Sequence, residues 1–69
     1  MNTGTIVRLI HDRGFGFIRQ EDGEEVFFHA SGMASTPFDS LQEGLAVTFD
    51  LEQDTRGRGM RAVNVELTG

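Results

Sequence analysis

The sequence predicts an all-β fold, a small closed or nearly closed five-stranded antiparallel barrel. Three observations carry this. Five stretches rich in β-branched and aromatic residues are separated by glycine-bearing turns, and none shows the apolar period of an amphipathic helix. Nine glycines against one proline suit tight turns between strands. One connection, residues 30–44, is much longer than the rest, as when a segment crosses the body of a small fold. Closure also removes the exposed edges that an open five-stranded sheet presents. Sixty-nine residues make one domain, 1–69. A domain of that size buries only about 60% of its unfolded surface, so its core is thin. The chain has no cysteine, which excludes disulfides and thiolate metal sites.

The first strand is expected over residues 3–11. Its alternation is imperfect: Ile6, Arg8 and Ile10 fall on one side and Val7 and Leu9 on the other, the mark of a bend or bulge. Asp12-Arg13-Gly14 turns the chain into a second strand, 14–20. Asp22-Gly23 is a hairpin-turn signal and leads to a third strand, 24–29. The long connection 30–44 is full of turn residues. Phe38 within it either plugs the core or extends an exposed aromatic surface. In the fourth strand, 45–53, Val47, Phe49 and Leu51 point inward and Thr48, Asp50 and Glu52 outward. A charged loop, Asp54 to Gly59, precedes the last strand, 60–67, where Val63, Val65 and Leu67 are expected on one face.

The second and third strands carry the chemistry. Side chains alternate between the faces of a strand. Phe15, Phe17 and Arg19 therefore share one face, with Gly16, Ile18 and Gln20 opposite. Phe27 and His29 likewise share a face, with Val26 and Phe28 opposite. Since Ile18, Val26 and Phe28 already supply an inner face, the other rings are left to the outside, against the usual burial of phenylalanine. Flat rings beside cations are what a single-stranded nucleic acid requires, because bases stack on the rings and cations meet phosphates.

The net charge of −5 runs against nucleic-acid binding, but its distribution does not. Residues 1–19 hold Arg8, Arg13 and Arg19 against Asp12, a balance of +2. Residues 20–54 hold nine acids and no base. Residues 55–69 hold Arg56, Arg58 and Arg61 against Glu66, again +2. Arg19 has Glu21 and Glu25 nearby as ion-pair partners. The run Glu21-Asp22-Gly23-Glu24-Glu25 reads as a solvated turn, and His11 as a solvated loop residue.

With Arg13-Gly14-Phe15-Gly16-Phe17-Ile18 and Val26-Phe27-Phe28-His29 in order, the chain resembles the cold-shock domain family. That family carries Lys-Gly-Phe-Gly-Phe-Ile and Val-Phe-Val-His at this separation. The resemblance extends through Gly4, Asp22-Gly23, Ser31, Leu41-Gln42-Glu43-Gly44 and Ala62-Val63-Asn64-Val65, essentially the whole chain. It implies a five-stranded oligonucleotide/oligosaccharide-binding (OB) barrel that binds single-stranded RNA and DNA with low sequence specificity. It also implies an RNA chaperone or a regulator of transcription or translation. Carried over by position, Phe15, Phe17, Phe27 and His29 fall on stacking positions, Arg13 on the family's lysine and Phe38 on its loop aromatic. The chain departs from the pattern at Arg8, where the family has tryptophan, and at Ala30, where it commonly has phenylalanine. An arginine can still lay its guanidinium plane on a base. The loop before the last strand is two residues longer. Counting forward puts Arg56 on the family's loop arginine, and counting back puts Arg58 there. With those two rings missing, weaker binding than that of a lysine-rich relative is expected.

No nucleophile–base pair, metal-spaced histidine–carboxylate cluster or phosphate loop is present, so the expectation is a binding protein, not an enzyme, with no cofactor, metal or small-molecule substrate. The alternative is a protein-interaction or regulatory module on the same fold, since an exposed aromatic patch also suits a protein interface. No stretch is long and apolar enough to span a membrane or to serve as a signal peptide. A cytoplasmic location is expected, and a monomer ahead of a strand-swapped dimer.

Overall fold

A computed structural model describes residues 2–53 and 59–68. Five strands, β1 (Asn2–Ile10), β2 (Phe15–Gln20), β3 (Glu25–His29), β4 (Ala46–Gln53) and β5 (Met60–Leu67), close into a barrel in the order β1-β2-β3-β5-β4. This is the OB-type barrel that the resemblance implies. Four of the strand pairs are antiparallel; the closing pair, β3 with β5, runs parallel through Phe27↔Arg61 and Phe28↔Ala62. The remaining elements are single 3₁₀ turns at His11–Arg13, Ala30–Gly32 and Phe38–Ser40. No helix among the described residues is long and apolar enough to cross a membrane.

The core is one cluster: Ile6, Ile18, Val26, Phe28, Leu41, Val47, Phe49, Ala62 and Val65. β3 and β4 contribute alternate residues, as the pleat requires, whereas Ala62 and Val65 of β5 lie three positions apart. Two bulges decide which residues those are. On β1, Ile6 pairs with Ile18 and Arg8 with Phe17, so Val7 is an extra residue. The bulge separates Ile6, which is fully buried, from Arg8, which is exposed. The irregular alternation of the first strand thus has the expected cause, and its effect is to turn Arg8 and Ile10 outward beside Phe17 and Phe15.

The second bulge was not foreseen. On β5 it spans Asn64 and Val65, opposite Phe49, with Asn64 in the left-handed region at φ 54°. It splits the expected trio Val63, Val65 and Leu67. Val65 is buried, but Val63 pairs with the exposed Asp50 and faces outward. Leu67 pairs with Val47 at the strand end and stays 38% exposed. The inner position falls to Ala62 instead. Asparagine is among the few residues that adopt positive φ at modest cost, and its side chain donates to Asp50 Oδ2 at 3.1 Å.

The hairpin over Gln20–Glu24 follows from Asp22-Gly23: Gly23 has φ 91°, and Asp22 Oδ1 accepts from the Glu24 N–H at 2.9 Å. The long connection crosses the barrel, as its length suggests. Met33 bridges to Val65, the Ala34 N–H donates to the Val65 carbonyl at 3.0 Å, and Leu41 is buried in the core.

Candidate nucleic-acid interface

Phe15, Phe17 and Phe27 stand half-buried on the outer face of β2 and β3. Each ring touches the other two. Phe15 and Phe17 meet edge-on at 6.1 Å, Phe17 and Phe27 at 6.0 Å, and Phe15 and Phe27 are tilted at 5.6 Å. Pairs in this range contribute about 0.5–1.5 kcal/mol beyond their buried area. The rings therefore hold one another in place while exposing part of each face. Strand register sets the neighbours. One cross-strand row reads Arg8, Phe17, Phe27, Arg61, and the next reads Ile10, Phe15, His29.

Two glycines make the platform possible. Gly16 lies on the inner face, where a Cβ would meet the Arg8 carbonyl oxygen at 2.5 Å and Phe28 Cε1 at 2.9 Å. Its absence lets β1 approach β2 closely and brings Arg8 alongside Phe17. Gly14 adopts φ 71°, ψ 37°, a left-handed conformation that ends the 3₁₀ turn and feeds the chain into β2. Arg13, the last residue of that turn, is exposed one step before the first ring.

His29 is exposed at the end of β3, opposite Phe15. The Ser31 backbone N–H donates to its Nδ1 at 3.1 Å, and Ser31 Oγ lies 3.0 Å from the same nitrogen. Because an amide N–H can only donate, Nδ1 is the acceptor and the neutral ring carries its proton on Nε2. Nε2 is thus left as the ring's donor. Ala30 follows, its Cβ turned toward Gly14, where a larger side chain would stand beside His29.

Charges are ordered along the platform. Arg19 pairs with Glu25 at 3.0 Å and Arg61 with Glu52 at 2.7 Å. The acidic turn Glu21–Glu24 lies beyond the Arg19 end. Arg8 and Arg13 lie toward the opposite side and have no carboxylate partner among the described residues. A phosphate backbone is accordingly favoured along the Arg8–Arg13 side and repelled from the β2–β3 turn.

Six of the residues singled out from the sequence, Arg8, Arg13, Phe15, Phe17, Phe27 and His29, lie on or beside this surface. Phe38 sits apart. It is half-buried against the core, tilted on Phe28 at 6.0 Å and met edge-on by the exposed His11 at 5.6 Å. Its packing anchors the long connection. Arg56 and Arg58 lie outside the described residues. Arg61, beside Phe27, was missed by sequence reasoning. Only the parallel closure of β3 on β5 brings it there, and no local pattern announces a parallel pairing. Among the described residues no group of three or more histidine, cysteine or acidic side chains is placed to hold a metal ion.

Comparison with known proteins agrees with this geometry. Residues 2–68 match the model of the 'Cold-shock' DNA-binding domain. The chain is 46% identical over 66 residues to cold shock protein CspC of Bacillus subtilis, covering 96% of this chain and 97% of that one. It is 46% identical to cold shock protein 2 of Lactiplantibacillus plantarum, with the same coverage. It is 45% identical to the cold shock-like protein CspA of Shewanella violacea, over 93% of this chain and 90% of that one.

Proposed function

We propose that this chain, which belongs to the cold-shock domain family, binds single-stranded DNA and RNA by stacking bases on Phe15, Phe17 and Phe27. The observation that carries this reading is the ring triad itself: three phenylalanines in mutual contact on an outer barrel face, although the core is complete without them. His29 extends the surface with a ring and an outward donor. Arg8 and Arg13 meet bases or phosphates, and Arg61 borders the row at Phe27. Rings accept any base, so sequence specificity is low. Splayed bases held on rings are withdrawn from pairing, which is how such a protein keeps RNA unstructured and acts as an RNA chaperone or regulator.

The same reading includes Phe38, half-buried on the long connection, as a further ring for the strand. It includes a contact from the loop arginines Arg56 or Arg58, and it describes a binding protein and not an enzyme. A monomer in the cytoplasm belongs to it as well. No feature of the site favours the protein-interaction alternative. Fluorescence anisotropy with a labelled pyrimidine heptanucleotide and its duplex form tests the proposal. Saturable binding of the single strand with at least tenfold weaker binding of the duplex is expected; equal binding of both contradicts it.

A further inference from the structure

We propose that Arg8 makes this platform selective for guanine, by reading the O6 and N7 edge of a base stacked on Phe17. The inference rests on the stacking function just proposed and concerns which base the site prefers. Position comes first. The Val7 bulge turns Arg8 outward, and register sets it directly opposite Phe17. Opposed residues on one face have Cβ atoms about 4.5–5.5 Å apart. A base lying on the Phe17 ring therefore presents an edge, and not its face, to a side chain rising from position 8.

Availability comes second. Arg19 and Arg61 on the same surface are engaged by Glu25 and Glu52. The exposed Arg8 side chain has no hydrogen bond, ion pair or ring contact among the described residues. The carboxylate that reaches this part of β1, that of Glu43, accepts the Leu9 N–H at 3.1 Å. Nothing holds the guanidinium flat against the sheet, so its fork is free to point at a ligand.

Chemistry then selects the base. A guanidinium has five donors in a planar fork and no acceptor. Guanine offers two adjacent acceptors, O6 and N7, matched to that fork. Adenine sets an amino donor beside N7, and thymine and uracil set a ring N–H beside each carbonyl. Cytosine has adjacent acceptors at N3 and O2 but a smaller face to lay on the ring. Discrimination of about tenfold between guanine and adenine is expected from one such bidentate pair.

The test uses labelled dT heptamers carrying one central dG, 7-deaza-dG, dA or dC, titrated by anisotropy against the wild type and Arg8→Met at fixed salt. The wild type should bind the dG strand about tenfold more tightly than the dA strand. It should lose that advantage with 7-deaza-dG, which lacks only the N7 acceptor. Arg8→Met keeps a long unbranched stem but removes every donor, and should bring dG and 7-deaza-dG within twofold of each other. Equal wild-type affinity for dG and 7-deaza-dG overturns the inference while leaving base stacking intact. Selectivity that survives in Arg8→Met overturns it too, as does a uniform loss across all four strands, the signature of a phosphate contact. Failure of every strand to bind overturns the stacking function along with it.

Discussion

Replacing Phe17 by leucine separates the ring's part in binding from its part in folding. Phe17 sits between Arg8 and Phe27 in one cross-strand row and touches both other rings of the triad. Leucine keeps the apolar bulk but removes the π-face. The two lost ring contacts, at about 0.5–1.5 kcal/mol each, lower stability by about 1–3 kcal/mol. In a domain of this size each kcal/mol shifts the melting temperature by about 4–8 °C, so a fall of about 4–24 °C is expected. Loss of one stacked base costs a further 1–3 kcal/mol, roughly, in binding. That is about a 5- to 150-fold rise in Kd. Circular dichroism melts read the first effect. Anisotropy with a labelled heptanucleotide, well below the variant's melting temperature, reads the second; the protein has no tryptophan or tyrosine to report binding itself. A folded Phe17→Leu protein that binds within twofold of the wild type would refute the stacking argument.

Gly16→Ala places a Cβ against the Arg8 carbonyl, a backbone atom that cannot move cheaply. A loss of about 1–3 kcal/mol is expected, read as a lower denaturant midpoint. Ala30→Phe restores a ring beside His29 and should tighten single-strand binding about fivefold or more, with the all-pyrimidine Kd as the readout. Because Arg19 and Arg61 are committed to carboxylates, about three phosphate contacts remain, and log Kobs should fall against log salt with a slope of about −2. A slope steeper than about −4 contradicts this.

Where side chains alternate cleanly the sequence was legible. The outer position of Phe15, Phe17 and Phe27 follows from the period of two and from the sufficiency of Ile18, Val26 and Phe28 as an inner face. The break in β1 was visible as Ile6, Arg8 and Ile10 falling on one side, though its consequence for Arg8 needed the register with β2. The face of Val63 was misread because the bulge at Asn64 leaves no local mark: Val63, Val65 and Leu67 alternate as a regular strand would. Leu41 is a core residue although it lies in a turn-rich connection, a placement that no local pattern announces. Arg61 reaches the platform through a pairing between strands that are far apart in sequence and run parallel. Phe38 packs on Phe28 and His11 while staying part-exposed, and its place in a turn-rich stretch gives no period from which that could be read.

The central claim is that one outer face of the barrel carries single-stranded nucleic acid. Nuclear magnetic resonance titration with a short pyrimidine-rich DNA strand at about physiological salt tests it directly. Shifts concentrated at Phe15, Phe17, Phe27, His29 and Arg8, with β4 residues such as Thr48 and Asp50 unmoved, are the predicted result. Shifts that spare the three phenylalanines, or none up to high micromolar strand, would contradict it.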